Sequence, residues 1–156
     1  MTIERIGGEF SDYDGLLALI LRSFASMEGR IDPPSSAHLL TPVSLRDKAA
    51  SEIAYIATED GHLCGCVFLK PEPPEYLYIS KLAVDPDIQG QGVGRALLAA
   101  ASATATGLGL PQLRLQTRIE LIENHAVFSR WGFRKVAENA HPGFTRTTSI
   151  EMRKTL

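Results

Sequence analysis

Cysteine is scarce in this chain of 156 residues, where Cys64 and Cys66 are the only two. A disulfide scaffold needs more. Neither charge dominates: 16 Lys and Arg stand against 18 Asp and Glu, a formal net charge of −2. That balance argues against a general nucleic-acid binder, whose affinity rests on a basic surface that displaces counterions. Long apolar runs are missing as well. The longest, Leu16–Leu21, falls far short of the roughly 20 residues that a membrane span needs. Met1–Phe10 carries Glu4 and Glu9 where a secretory leader would be cationic and then apolar, so a cytoplasmic location is expected. Internal repeats are absent, and the only biased tract is the Ala-rich stretch Ala96–Thr106.

What is present is an ordinary globular composition, 44% hydrophobic and 22% charged, at a length that predicts one domain over residues 1–156. Thr2–Ile6 alternates like an edge strand. Ser11-Asp12-Tyr13-Asp14 offers helix caps ahead of Leu16, Leu17, Leu19, Ile20, Phe24 and Met27, spaced as the buried face of a helix that Gly29 ends. Arg30–Thr41, with Pro33-Pro34, reads as loop and Val43–Ser51 as a second helix. A period of two then predicts strands over Ile53–Thr58, His62–Lys70 and Glu75–Val84, the first two joined by an Asp60-Gly61 turn. Gly92–Gly107 reads as a helix, Leu113–Thr117 as a strand and Glu120–Trp131 as a helix. Phe133–Ala137 and Phe144–Met152 form a closing hairpin. The order β-α-α-β-β-β-α-β-α-β-β predicts an α/β fold with helices on both faces of a mixed sheet.

Alternation along His62–Lys70 would set His62, Cys64 and Cys66 on one face, which resembles a set of metal ligands. No second His/Cys cluster lies nearby in sequence to complete a tetrahedral site. No metal is expected, and both cysteines read as small buried hydrophobes.

The most informative stretch is Leu82-Ala83-Val84-Asp85-Pro86-Asp87-Ile88-Gln89-Gly90-Gln91-Gly92-Val93-Gly94-Arg95. A buried strand ends at Val84, Asp85-Pro86 turns the chain, and three alternating glycines lead into a helix. Backbone without side chains lets N–H groups approach a ligand closely, and a helix N-terminus adds unpaired donors and a positive dipole end. The combination suits a pyrophosphate. It is not a Walker loop, since no lysine follows the glycines. Nor is it a dinucleotide loop, because the last required Gly/Ala falls on Arg95 or on Leu97.

The segment instead resembles motif A of the GNAT superfamily, the acetyl-CoA-dependent N-acetyltransferases, whose Arg/Gln-x-x-Gly-x-Gly/Ala signature reads here as Gln89 to Gly94 after Leu82, Val84 and Pro86. Downstream, Glu123-Asn124-His125-Ala126-Val127-Phe128-Ser129-Arg130-Trp131-Gly132-Phe133 resembles motif B. The resemblance implies a mostly antiparallel central sheet that splays between the strands before and after motif A. Acetyl-CoA is implied as cosubstrate, with pantetheine lying in the gap against main-chain groups of Leu82, Ala83 and Val84. The Val84 N–H would face the thioester oxygen as an oxyanion donor. The diphosphate would take N–H groups from Gln89, Gly90, Gln91, Gly92, Val93, Gly94 and Arg95, and the Arg95 side chain could add its charge. Asn124 would contact pantetheine.

Many relatives place a proton-donating tyrosine four residues before the Gly-Phe pair, and here that position is Phe128, which leaves Phe128 as a cofactor-packing residue. Tyr78, Tyr76, Glu120 and Glu123 are the alternatives for proton transfer, with Tyr78 and Glu120 foremost. Alternation would put Tyr76, Tyr78 and Ser80 on one face with Leu82 and Val84. His125 and His141 read as surface residues. The resemblance implies transfer of acetyl to a primary amine of a small molecule, directly within a ternary complex. An acceptor at a protein N-terminus or lysine, and a non-catalytic acyl-CoA-binding regulatory module, are the alternatives. The acceptor would lie beside the first two helices and their loop, where Glu28 and Asp32 could hold an ammonium. Homodimerisation is a further possibility that the resemblance carries.

Overall fold

The computed structural model describes every residue, Met1–Leu156. Strand β1 (Thr2–Arg5) is followed by helices α1 (Tyr13–Phe24) and α2 (Pro42–Ser51), then by strands β2 (Ile53–Glu59), β3 (His62–Glu72) and β4 (Tyr76–Val84). Helix α3 (Val93–Gly107), strand β5 (Gln112–Arg118), helix α4 (Ile122–Arg130) and strands β6 (Arg134–Asn139) and β7 (Ser149–Thr155) complete the chain. The expected order of elements holds throughout.

Local chemistry sets the helix starts. The Asp12 carboxylate accepts the Gly15 N–H at 3.0 Å ahead of α1. Thr41 and Ser44 form a reciprocal capping box at α2, whose start at Pro42 reflects the fit of proline at a first helical position. The last strand departs from expectation. Phe144 lies in a turn, its N–H on the His141 carbonyl, and β7 begins at Ser149 and runs on to Thr155.

All seven strands form one sheet in the order β1-β2-β3-β4-β5-β7-β6, and only β4 and β5 pair in parallel. One face packs against α1 and α2 through Leu16, Leu19, Ile20 and Leu45, with Phe68 and Ala83 from the sheet. The other packs against α3 through Val93, Leu97 and Ala101, with Val67, Leu69, Leu77 and Leu113. Burial on both faces explains the near-continuous apolar run of β3.

Two bulges upset simple alternation. In β4, Lys81 and Leu82 together face Val67, since Ser80 pairs Phe68 and Ala83 pairs Cys66. Lys81 takes a left-handed φ of 51°. The extra residue inverts the side-chain parity. Leu82 and Val84 therefore pack on the α3 side with Leu77 and Ile79, while Ala83 turns to the opposite core. Tyr76, Tyr78 and Ser80 thus do not share a face with Leu82 and Val84, contrary to the alternation read from sequence. In β3, a shift opposite Ala57 and Thr58 likewise parts Cys64, in the α3-side core, from Cys66, in the α1-side core. The one-face set of His62, Cys64 and Cys66 does not form.

Candidate active site

The pairing of β4 with β5 stops early. Tyr76, Leu77 and Tyr78 meet Gln112, Leu113 and Arg114, and beyond that point the strands diverge to Val84 and Arg118. Charge holds the closed end. Arg114 grips Glu72 through two contacts (3.0 and 3.3 Å) and Glu151 at 2.5 Å, while Arg153 reaches Glu151 at 2.7 Å. The Arg114 and Arg153 guanidiniums lie over the rings of Tyr78 and Tyr76 at 4.4 and 4.7 Å. Strands β3, β4, β5 and β7 are stapled there, so the sheet opens at one end only.

At the open end, Asp85 shapes the turn into α3. Its carboxylate accepts the Asp87 N–H at 3.0 Å and the Arg22 guanidinium at 2.8 Å, and both contacts hold its pKa below the usual carboxylate value. Gly90 and Gly92 take φ of 84° and 88°, in the region that L side chains avoid. Gly94 serves differently: a Cβ there would stand 3.2 Å from the Trp131 ring. Gly92 is the N-cap of helix α3, which has no side-chain cap and no acidic residue in its first turn. Its leading N–H groups point at open space with the positive end of the dipole behind them, the arrangement that receives an anion.

A cavity of about 710 Å³ begins at that helix end. Every residue assigned to cofactor binding from the sequence lines it except Ala83, which the bulge turns away, and Gln91. Arg95, Arg130 and Arg30 add positive charge, and Glu123, paired to Arg30 at 2.6 Å, is its acidic residue. A second cavity of about 580 Å³ lies on the far side of the splay. The two share Phe24, Met27, Leu82, Leu121, Asn124 and Phe128. They meet where the strands part, and Asn124 is the one polar side chain at the junction.

Tyr78 stands on the wall of the second cavity, and burial raises its phenol pKa, so it stays protonated. His141, expected at the surface, lines the same wall. Its Nδ1 bonds the Thr148 hydroxyl, while burial and then the Arg118 charge lower its pKa and favour the neutral ring. Glu120 lines neither cavity: its Oε2 accepts the Asp32 N–H at 3.1 Å. Phe128 packs edge-on to Trp131 and Phe133 at 6.0 and 5.8 Å. The Val84 N–H donates to Ser23 Oγ at 3.2 Å, a contact between β4 and α1 that sequence reasoning missed.

Comparison with known proteins fits this geometry. The model of the acetyltransferase (GNAT) family matches residues 19–133, which takes in both cavities' junction and the whole glycine loop. The chain belongs to the GNAT family. Similar solved structures include the paia N-acetyltransferase of Thermoplasma acidophilum in complex with coenzyme A, at 17% identity over all of both chains and a TM-score of 0.80. A GNAT acetyltransferase of Elizabethkingia anophelis with acetyl-CoA bound is 21% identical over 99% of this chain and 97% of that one, with a TM-score of 0.70. Aminoglycoside 6'-acetyltransferase type Ii is 16% identical over 99% and 97%, with a TM-score of 0.78. No functionally curated protein matches the chain.

Within this GNAT domain the α1–α2 connection straps over the splay. Arg118 donates to the carbonyls of Pro33 (2.6 Å) and Pro34 (3.0 Å), and Arg146 donates to the Asp32 carbonyl and carboxylate, both at 3.0 Å. The strap is tied to the end of β5, the start of α4 and the β6–β7 loop. Asp32 and Glu28, expected to receive an ammonium, already face Arg146 and, at 3.5 Å, His38.

Proposed function

We propose that residues 1–156 act as one acetyltransferase unit that moves acetyl from acetyl-CoA to a primary amine of a small molecule, directly within a ternary complex. The observation that carries this reading is the meeting of two cavities in the splay, one of them starting at an uncapped, glycine-built helix end. The diphosphate would sit on the N–H groups of Gln89 to Arg95, with Arg95 and Arg130 supplying charge. Pantetheine would run along Leu82 and Val84 past Asn124 and Phe128, to present its thioester at the junction.

The amine nitrogen attacks the thioester carbon, the C–N bond forms, and the C–S bond breaks with its electron pair on sulfur. The surplus proton of the amine passes to water or to the neutral His141 imidazole, and the thiolate takes its proton from solvent. A thiol pKa near ~8.5 makes that thiolate a tolerable leaving group, so the apolar Phe128 ring does not forbid the step. Tyr78, protonated on the acceptor wall, would hydrogen-bond the amine or an acceptor group behind it.

For the oxyanion, Leu82 is better placed than Val84. The bulge takes Leu82 out of the ladder and sets it on the wall of both cavities, while the Val84 N–H is engaged by Ser23. Glu120 acts as an anchor for the strap. A cysteine relay is not used in this scheme, because burial pushes the Cys66 thiol up to about 12 and raises that of Cys64 as well. The apolar junction also suits a non-catalytic acyl-CoA sensor. Calorimetric titration with CoA, followed by thiol release against an amine panel with mass spectrometry of products, tests the two. CoA binding with turnover supports transfer, and CoA binding without turnover on any amine supports the sensor.

A further inference from the structure

The acceptor cavity has a charge that the molecule as a whole does not. The chain carries a net −2, yet no Asp or Glu stands among the residues lining this cavity, whereas Lys81, Arg118, His38 and His141 all do. Lys81 is placed there by the bulge. Its left-handed backbone is uncommon for a lysine, its Nζ bonds only the Ser36 hydroxyl at 2.7 Å, and no carboxylate lies within ion-pair reach. Arg118 spends its bonds on two carbonyls and is likewise without a carboxylate partner. Burial, then the Lys48 and Arg118 charges, lower the pKa of Lys81, and burial, then Arg118, lower that of His141. Glu52 acts on Lys81, and Glu120 and Asp32 act on Arg118, from outside the lining and beyond ion-pair reach. Two cations thus line one part-buried cavity with no carboxylate in its wall.

We infer that the acceptor is a small primary amine bearing its own anionic group, a carboxylate or a phosphate, which Lys81 and Arg118 seat while the amine points to the junction. This rests on the acetyl-transfer reading above. It also explains how the amine becomes nucleophilic. The cations that hold the acid end disfavour a third positive charge nearby, so the bound amine loses its proton more readily. A polycationic acceptor is disfavoured by the same field.

The test uses the full chain with acetyl-CoA and matched amines: α-amino acids and their carboxamides, an aminoalkyl phosphate, and a diamine of similar length. The anionic member of each pair should exceed its neutral partner about tenfold or more in kcat/KM, as one charge-assisted contact allows, with the gain in KM. The phosphate arm tells which anion is preferred. Lys81→Met should abolish the preference and Lys81→Arg should retain part of it, both with unchanged CoA affinity. Carboxamides or diamines that match or outdo the anionic amines would overturn the proposal. Should no amine react, N-acetyl amino acids must raise the melting temperature of the CoA-loaded protein above that given by N-acetyl amides; equal shifts overturn the proposal too. A CoA titration run beforehand separates the failures. No CoA binding sinks the acetyl-transfer reading itself, whereas normal CoA binding with indifference to acceptor charge sinks the anionic seat alone.

Discussion

Leu82 and Phe128 face each other's chemistry at the junction of the cavities, and each makes a separate claim on the reaction. If the Leu82 N–H receives the oxyanion, exchanging its amide for an ester by chemical ligation should lower kcat on the order of 10²-fold, with KM for acetyl-CoA little changed. The same exchange at Val84, whose N–H faces Ser23, should instead act mainly on KM. Steady-state kinetics of the two esters decides between the positions. Phe128→Tyr would put a phenol on the path proposed for the leaving sulfur. We expect similar CoA affinity and a kcat raised several-fold, short of the roughly 10²–10⁴ that a well-placed general acid contributes, because the thiolate already leaves tolerably as its anion. A lowered kcat would show that the junction requires an apolar ring.

The turn between β4 and α3 is the element to which we assign cofactor binding, and Asp85 ties it to α1 through Arg22. A carboxyl with a depressed folded-state pKa stabilises the protein at every pH above its unfolded value, near ~3.9, and loses that contribution as pH falls through the folded value. Asp85→Asn should therefore melt below the parent protein at neutral pH and converge with it in acid, which differential scanning calorimetry over about pH 2 to 7 would show. The elements themselves were largely legible. The cap at Asp12, the Asp60-Gly61 turn and the alternating glycines each leave a local chemical mark. The β4 bulge leaves none. Lysine has no preference for the left-handed region, so nothing near Lys81 announces that parity inverts there, that Ala83 turns away from the cofactor side, or that a cation enters the acceptor cavity. The extent of β7 was misread for a similar reason, since Phe144 has strand propensity but spends its N–H in a local turn.

Across the whole molecule, the splay is a balance between a stapled end and an open one. Arg114 joins three strands at the staple, and its removal leaves Glu72 and a largely buried Glu151 facing each other with only Arg153 to compensate. Arg114→Ala should cost roughly 2–3 kcal/mol, discounted for partial exposure from the value for a fully buried pair, as read by urea denaturation. It should also weaken CoA binding by loosening the angle at which the strands part. None of this network could be read from the sequence, because its partners come from four separate strands. The strap is equally distant, linking Asp32 to Arg146 and the Pro33 and Pro34 carbonyls to Arg118. Its residues Ile31, Pro34, Ser35 and Ser36 wall only one of the two cavities. If donor and acceptor occupy separate cavities as proposed, neither would need to wait for the other to enter, and the acetylated product would depart by the route its amine took while the spent carrier is still in place.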